Sequence, residues 1–415
     1  MTDFSRVVVT GLGAMTDMGL DVHTLWDGLV NGRSGVGPIT AFEQDDQWDV
    51  RIAGEVKDWD PKEKLDAFER KRMDRNSQIG VCAAVEAAEC CGIDFQSGDP
   101  TRRGVSIGTG IGGIITIEME HNKLLAKGPR RISPFCVPKL MANACAGNVS
   151  LRLGLKGMNL VTATACASGA HAVAMASQQI QLGLADVMVS GGAESAVSSL
   201  CISAFSAMKA LSTRNDEPEK ASRPFDRDRD GFILAEGAGV LVLESLEHAQ
   251  ARGAKILAEV LGYGISGDAH HIAAPAEDGD GAARAMKLAL ANAKINPTDI
   301  GYINAHGTST PLGDASEVQA VKTVFGDHAF SLVMSSTKSM TGHGLGAAGG
   351  IESVAVVNAL RNGIIPPTIN LDNPDEGFDL DFAANEAQER KIKYALNNSF
   401  GFGGHNVSLV FGQAP

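Results

Sequence analysis

The chain has 415 residues, 44% of them hydrophobic and 20% charged, which excludes a disordered or fibrous protein and leaves room for one large domain or two of ordinary size. Its formal net charge of −13 excludes a general nucleic-acid binder, so an acidic partner must meet a local basic patch. Glycine is the outlier at 48 residues, and predicts many tight turns and close backbone approaches.

The N-terminus enters the strand-like run 7–10 without the apolar region of a signal peptide, and no run of about 18 apolar residues forms a membrane span. Further strand-like runs follow at 105–107, 160–165, 187–190, 240–243, 256–261, 300–305, 332–336 and 407–411. Several are continuous apolar stretches ending in small residues, the pattern of buried strands in a layered α/β protein. Helices are predicted over 73–91, 167–182, 281–294 and 315–323, the last with Asp314 as its N-cap. The alternating charges of 226–231 predict a structured loop. A soft boundary at 247–253 divides the chain into halves 1–254 and 255–415, with no internal repeat visible in the sequence.

The seven cysteines all lie in the first half and form no C-x-x-C pair, which predicts free thiols in a reducing cytoplasm and no metal site. Cys82, Cys90, Cys91, Cys145 and Cys201 read as small buried residues. Gly108-Thr-Gly-Ile-Gly-Gly113 fits a dinucleotide fingerprint. The acidic residue that motif needs about 20 positions later is missing, so the segment reads as a loop of close backbone packing.

Cys166 stands apart. It follows the small-residue run 161–165 and opens a helix, where the positive end of the helix dipole favours thiolate and backbone N–H groups can hold an oxyanion. His306, in Asn304-Ala-His306-Gly-Thr-Ser-Thr310, and His343, in Lys338-Ser-Met-Thr-Gly-His343, each follow a strand among small residues. With the thiol they suggest a Cys-His-His site. His23, His121, His248 and His328 read as surface residues and His171 as helix core.

These segments together resemble the β-ketoacyl-acyl-carrier-protein synthases, most closely the synthase II branch of bacterial fatty acid synthesis. The resemblance runs over essentially the whole chain. It includes Val7-Val-Val-Thr-Gly-Leu-Gly13, Thr164-Ala-Cys166, Ala210-Leu-Ser-Thr-Arg-Asn-Asp216, Ala221-Ser-Arg-Pro224, the two histidine motifs, Pro366-Pro-Thr-Ile-Asn-Leu-Asp-Asn-Pro374 and Asn398-Ser-Phe-Gly-Phe402-Gly-Gly404.

The resemblance implies an α/β thiolase fold, with two related α/β halves in a five-layered αβαβα arrangement, and a homodimer. It implies an acyltransferase in which Cys166 takes an acyl chain as a thioester and condenses it with malonyl-carrier protein, extending a fatty acid by two carbons. His306 and His343 would stabilise the enolate, with Lys338 beside them and Glu352 as its carboxylate partner. Cys166 and Phe402 N–H groups would form an oxyanion hole, and Phe402 a gate. Thr308 and Thr310 would bind the pantetheine arm, and Ile111, Phe205 and Cys136 the acyl chain, Cys136 near the dimer partner. No cofactor is implied beyond the phosphopantetheine of acyl carrier protein, which Lys71, Arg72 and Lys209 would attract, with Arg130, Arg131 and Arg214 as further candidates.

The sequence departs from its relatives at Cys136, where Phe is common, at Gly344, where a larger residue is common, and at His405, where Thr is frequent. These departures predict a roomier or differently shaped acyl pocket. Rival readings are a ketosynthase of polyketide or specialised fatty acid assembly, which shares the catalytic set, and a silent chain-length partner subunit, which lacks the nucleophile that Cys166 supplies.

Overall fold

The computed structural model describes residues 4–415; Met1 to Asp3, part of the segment read as lacking a leader, lie outside the described residues. Ten strands form the main sheet. The first five are β1 (Val7–Thr16), β2 (Arg103–Gly108), β3 (Asn159–Thr162), β4 (Val187–Glu194) and β5 (Gly237–Ser245). The second five are β6 (Ala258–Gly267), β7 (Ile300–Asn304), β8 (Val333–Ser335), β9 (Tyr394–Gly401) and β10 (His405–Gln413).

Their spatial order is β3-β2-β4-β5-β1 followed by β6-β10-β9-β7-β8, joined where Val7 of β1 pairs antiparallel with Val260 of β6. The second half is the first reversed in space, each strand replaced by the one five places later. The repeat that the sequence hides is therefore plain in the topology. Within each half two parallel pairings build one side, β2 with β3 and β4, and β7 with β8 and β9.

Helices complete five layers. Helix α1 (Arg75–Cys91) covers the outer face of the first half, and α3 (Asp280–Ala293) and α4 (Pro311–Phe325) cover that of the second. Between the halves lie α2 (Ser168–Gln181) and α5 (Ala348–Asn362), whose buried side chains form one core with both halves of the sheet. Both central helices are rich in Gly, Ala and Ser, because backbones approach there almost to contact. A methyl at Gly350 would lie 2.3 Å from Gly239 O, and one at Gly169 2.8 Å from Gly346 O.

Three expectations need correction. Helix α4 begins at Pro311 after Thr310; Asp314 lies inside it, fully buried, accepting from Ser309 N and Phe225 N and paired with Arg229. Proline at the first helical position, whose missing N–H needs no partner, sets that start. The run 160–165 is strand only to Thr162. Cys90, read as buried, is exposed, because it turns to the solvent side of α1 while Cys91 faces the core. The 226–231 segment is a structured loop, with Arg229 buried against Asp375 and Asp314.

The seam between α1 and β1 gives a stability test. A methyl at Gly13 would sit 1.9 Å from Ala83 O, so Gly13→Ala forces helix and strand apart and costs about 2–3 kcal/mol in denaturant unfolding. Gly147→Ala, in a helix with nothing within 4 Å of the new methyl, is neutral or slightly stabilising.

Candidate active site

The loops leaving β2, β3, β7 and β8 converge on one cavity of about 480 Å³, at the carboxyl ends of parallel strands where α/β proteins place their ligands. They bring Ile111, Cys166, His306 and His343, in that order, to its wall, and the β9–β10 turn adds Phe402.

Cys166 sits in a single 3-10 turn, Ala165–Ala167, just before α2. Ala165 is held at φ 48°, a costly angle for a residue with a side chain. The turn is fixed by Ser168, whose Oγ donates to Ala165 O at 2.6 Å and accepts from Thr164 N at 2.8 Å. Gly401 lies directly on it, since a methyl there would be 2.7 Å from Thr164 O and 3.2 Å from Cys166 N. Burial pushes the Cys166 thiol up to about 11, against the Lys338 charge and the N–H of Phe402. Desolvation thus opposes the helix terminus and the nearby charge, which favour the thiolate.

Behind the histidines lies an ion pair. Lys338 Nζ is bonded to Glu352 Oε1, both side chains being 2% exposed, and lies 3.5 Å from His306 Nδ1. Burial first, and then the Lys338 charge, hold both His306 and His343 well below the usual imidazole range. Both rings are therefore neutral at pH 7. An ammonium can only donate, so its place beside Nδ1 assigns the His306 ring proton to Nε2. The rings meet edge to face with centroids 5.4 Å apart.

Two buried carboxylates that sequence reading missed hold these loops. Glu317 of α4 accepts His306 N at 2.9 Å, Gly307 N at 2.8 Å and Asn398 Nδ2 at 3.1 Å; burial raises it to about 7. Glu194 at the end of β4 accepts Gly110 N at 2.5 Å, Thr109 Oγ1 at 2.8 Å and Gly346 N at 3.1 Å. It occupies the N–H groups of the Gly108–Gly113 loop, where a dinucleotide motif would hold phosphate, so that loop is a backbone junction. Only a carboxylate at the C-terminal end of an apolar strand marked Glu194 in the sequence.

The family models for the β-ketoacyl synthase N-terminal and C-terminal domains match residues 4–249 and 257–372. The chain belongs to the β-ketoacyl synthase family. It is 49% identical over 407 residues to 3-oxoacyl-[acyl-carrier-protein] synthase 2 of Vibrio harveyi, covering 98% of each chain. It is 50% identical over 406 residues to the protein of that name from Synechocystis sp., covering 98% of this chain and 97% of the other. Among solved structures it resembles a β-ketoacyl synthase from Burkholderia phymatum, with a TM-score of 0.91 and 36% identity over 99% of this chain and 100% of that one. A ketosynthase bound to the hexaketide and in complex with its type II PKS acyl-carrier protein gives 0.91 and 35% over the same shares.

The ketosynthase cavity also receives Phe205, Lys209, Thr308 and Thr310, the two threonine hydroxyls 3.0 Å apart. Phe232, unflagged in the sequence, stands between Phe205 and His343 with ring centroids 5.4 and 5.3 Å away. Other predicted residues, Arg130 and Arg131 among them, lie off the cavity wall. Cys136 opens the short helix Cys136–Leu140 and is not on the cavity wall of this single chain. Lys71 and Arg72 end the helix Ala67–Arg72 and lie over the Phe135 ring, at 5.6 and 5.2 Å, instead of at the cavity rim with Lys209. Arg214 is engaged by Asp230 and Asp228 O.

Below the pKa of a thiol raised to about 11, the thiolate fraction rises about tenfold with each unit of increasing pH. Iodoacetamide alkylation of Cys166, followed by intact mass, therefore rises about tenfold per unit between about pH 7 and 9 without levelling. A plateau below about pH 8 contradicts it.

Proposed function

We propose that this chain is a β-ketoacyl-[acyl-carrier-protein] synthase of type II that extends fatty acyl chains by two carbons. In this reading residues 1–254 supply the nucleophile half and 255–415 the histidine half. Cys166 Sγ attacks the acyl thioester; the bond to the pantetheine sulfur breaks, and that sulfur leaves with the thiol proton. The Cys166 and Phe402 N–H groups take the charge on the oxygen of the tetrahedral intermediate. Malonyl-carrier protein then enters. Its bond to the carboxylate breaks, carbon dioxide leaves, and the electron pair passes into an enolate. His306, donating from Nε2, and His343 stabilise that oxygen. The carbanion attacks the acyl carbonyl, the bond to Sγ breaks, and the sulfur leaves as thiolate and takes a proton from solvent to return the thiol.

The observation that carries this reading is Lys338 beside His306 Nδ1. Neutral donors beside a fixed cation suit a developing enolate, whereas imidazolium groups would bind the malonyl carboxylate and retain it. Thr308 and Thr310 are read as contacts for the pantetheine arm, Ile111, Phe205 and the partner's region near Cys136 as the acyl pocket, and Phe402, 36% exposed between two glycines, as the gate. The condensation needs no electron carrier, since loss of carbon dioxide drives it, and the substrates arrive on acyl carrier protein. Lys209 at the rim and Lys71 and Arg72 are the proposed steering charges.

A homodimer is part of the reading. Edge strand β3 carries the exposed Leu160, and Val137 and Met141 are also exposed apolar residues. So is a cytoplasmic location, in keeping with free cysteines throughout; among the described residues no helix is long and apolar enough to cross a membrane. The polyketide alternative is weaker, since the 35% identity to the ketosynthase of a type II PKS falls well short of the 49–50% to synthase 2 proteins.

Condensation of acyl- and malonyl-carrier protein tests the assignment. Cys166→Ala should give no acyl-enzyme and lose condensation by about a thousandfold or more. His306→Gln should slow malonyl decarboxylation about 100-fold or more while Cys166 still acylates within about fivefold of wild type. A Cys166→Ala enzyme that condenses at the normal rate overturns it.

A further inference from the structure

The segment after β6 crosses the outer end of the cavity, and His271 lies on it. Its Nδ1 accepts Ala273 N at 3.1 Å and Ala274 N at 3.0 Å. A ring nitrogen that accepts two N–H groups carries no proton, so the proton is assigned to Nε2 at the opposite edge. His271 also lines the cavity. Unlike Cys166, which is 7% exposed at its inner end, His271 is open to solvent. The segment is itself fixed: Gly403 N donates to Ile272 O at 2.7 Å and Asp268 N to Gly404 O at 3.0 Å. A donor is thus held with set direction at the mouth, and neither the nucleophile nor the enolate chemistry uses it.

We infer that His271 is a positioning residue that donates its Nε2–H to the phosphate of the phosphopantetheine arm. The inference rests on the reading of Cys166 as the acyl acceptor, because that puts the arm's thioester at the inner end and its phosphate at the outer one. Thr308 and Thr310 line the same cavity and are suited to the arm's neutral amides. Lys209 on the same rim adds positive charge, while Asp230 and Asp268 also line the cavity. A directed N–H therefore does what net charge alone cannot: it fixes where the phosphate stops, and so how deep the thioester reaches.

Acyl transfer from small thioesters separates this from carrier docking. The probes are hexanoyl-phosphopantetheine and hexanoyl-pantetheine, with Cys166 acylation read by mass at several concentrations. The wild-type enzyme should favour the phosphorylated probe about tenfold, the size of one charge-assisted hydrogen bond, chiefly through half-saturating concentration and not maximal rate. His271→Asn keeps a side-chain oxygen for the Ala273 and Ala274 N–H groups, as an Asx turn does, but is too short to reach the phosphate. It should abolish the preference while leaving hexanoyl-pantetheine within about twofold. His271→Phe, which also loses the turn, should abolish it too. An Asn variant that keeps the preference, or that slows both probes equally, overturns the inference and leaves the Cys166 reading intact. A wild-type enzyme that acylates Cys166 with neither probe overturns both.

Discussion

The site is organised around one buried ion pair, Lys338 with Glu352. Taking two charges out of water is costly, and removing one partner of such a pair leaves an uncompensated charge worth about 3–5 kcal/mol. The fold commits to that cost because the ammonium does three things from one position. It depresses both histidines, fixes the His306 proton on Nε2, and draws the Cys166 thiol down against its own desolvation. Its carboxylate comes from central helix α5, so the geometry of the site is a property of the middle layer.

That middle layer exists because two halves of like topology meet back to back. Each half delivers loops from the ends of two parallel strands, β2 and β3 from one, β7 and β8 from the other. The Cys166 loop and the Lys338–His343 loop are counterparts: each follows the edge strand of its half and runs into a central helix. In the proposed reading one half supplies a nucleophile there and the other a cation and a donor. The large glycine count belongs to this junction, where Gly169, Gly346 and Gly350 let the loops and central helices come within contact of the strands.

Much of this was legible in the residues. The apolar runs marked nine of the ten main strands, three helices formed within two residues of their predicted ends, and Cys166, His306, His343 and Lys338 stood in recognisable motifs. Strand β9 was missed because Asn397, Asn398 and Ser399 interrupt its apolar pattern; all are fully buried. Asn397 bonds Gly349 O and Ser353 Oγ, and Asn398 reaches Glu317. A strand that holds a site in place looks like a loop to a hydrophobicity pattern. Glu194 and Glu317 escaped for a related reason: a carboxylate that satisfies distant backbone N–H groups has no local signature. A helix terminus beside the thiol can be read from sequence, whereas desolvation depends on everything that later packs around the sulfur.

The central claim is that burial and the Lys338 charge together keep His306 neutral, with Lys338 fixing its proton on Nε2, and nitrogen-15 NMR of histidine-labelled enzyme measures this directly. The His306 signals, assigned by their loss in His306→Gln, should show a protonated Nε2 and a bare Nδ1 at pH 7, and should stay so as the pH falls through the usual imidazole range. An imidazolium at pH 7, or a proton found on Nδ1, would contradict the account.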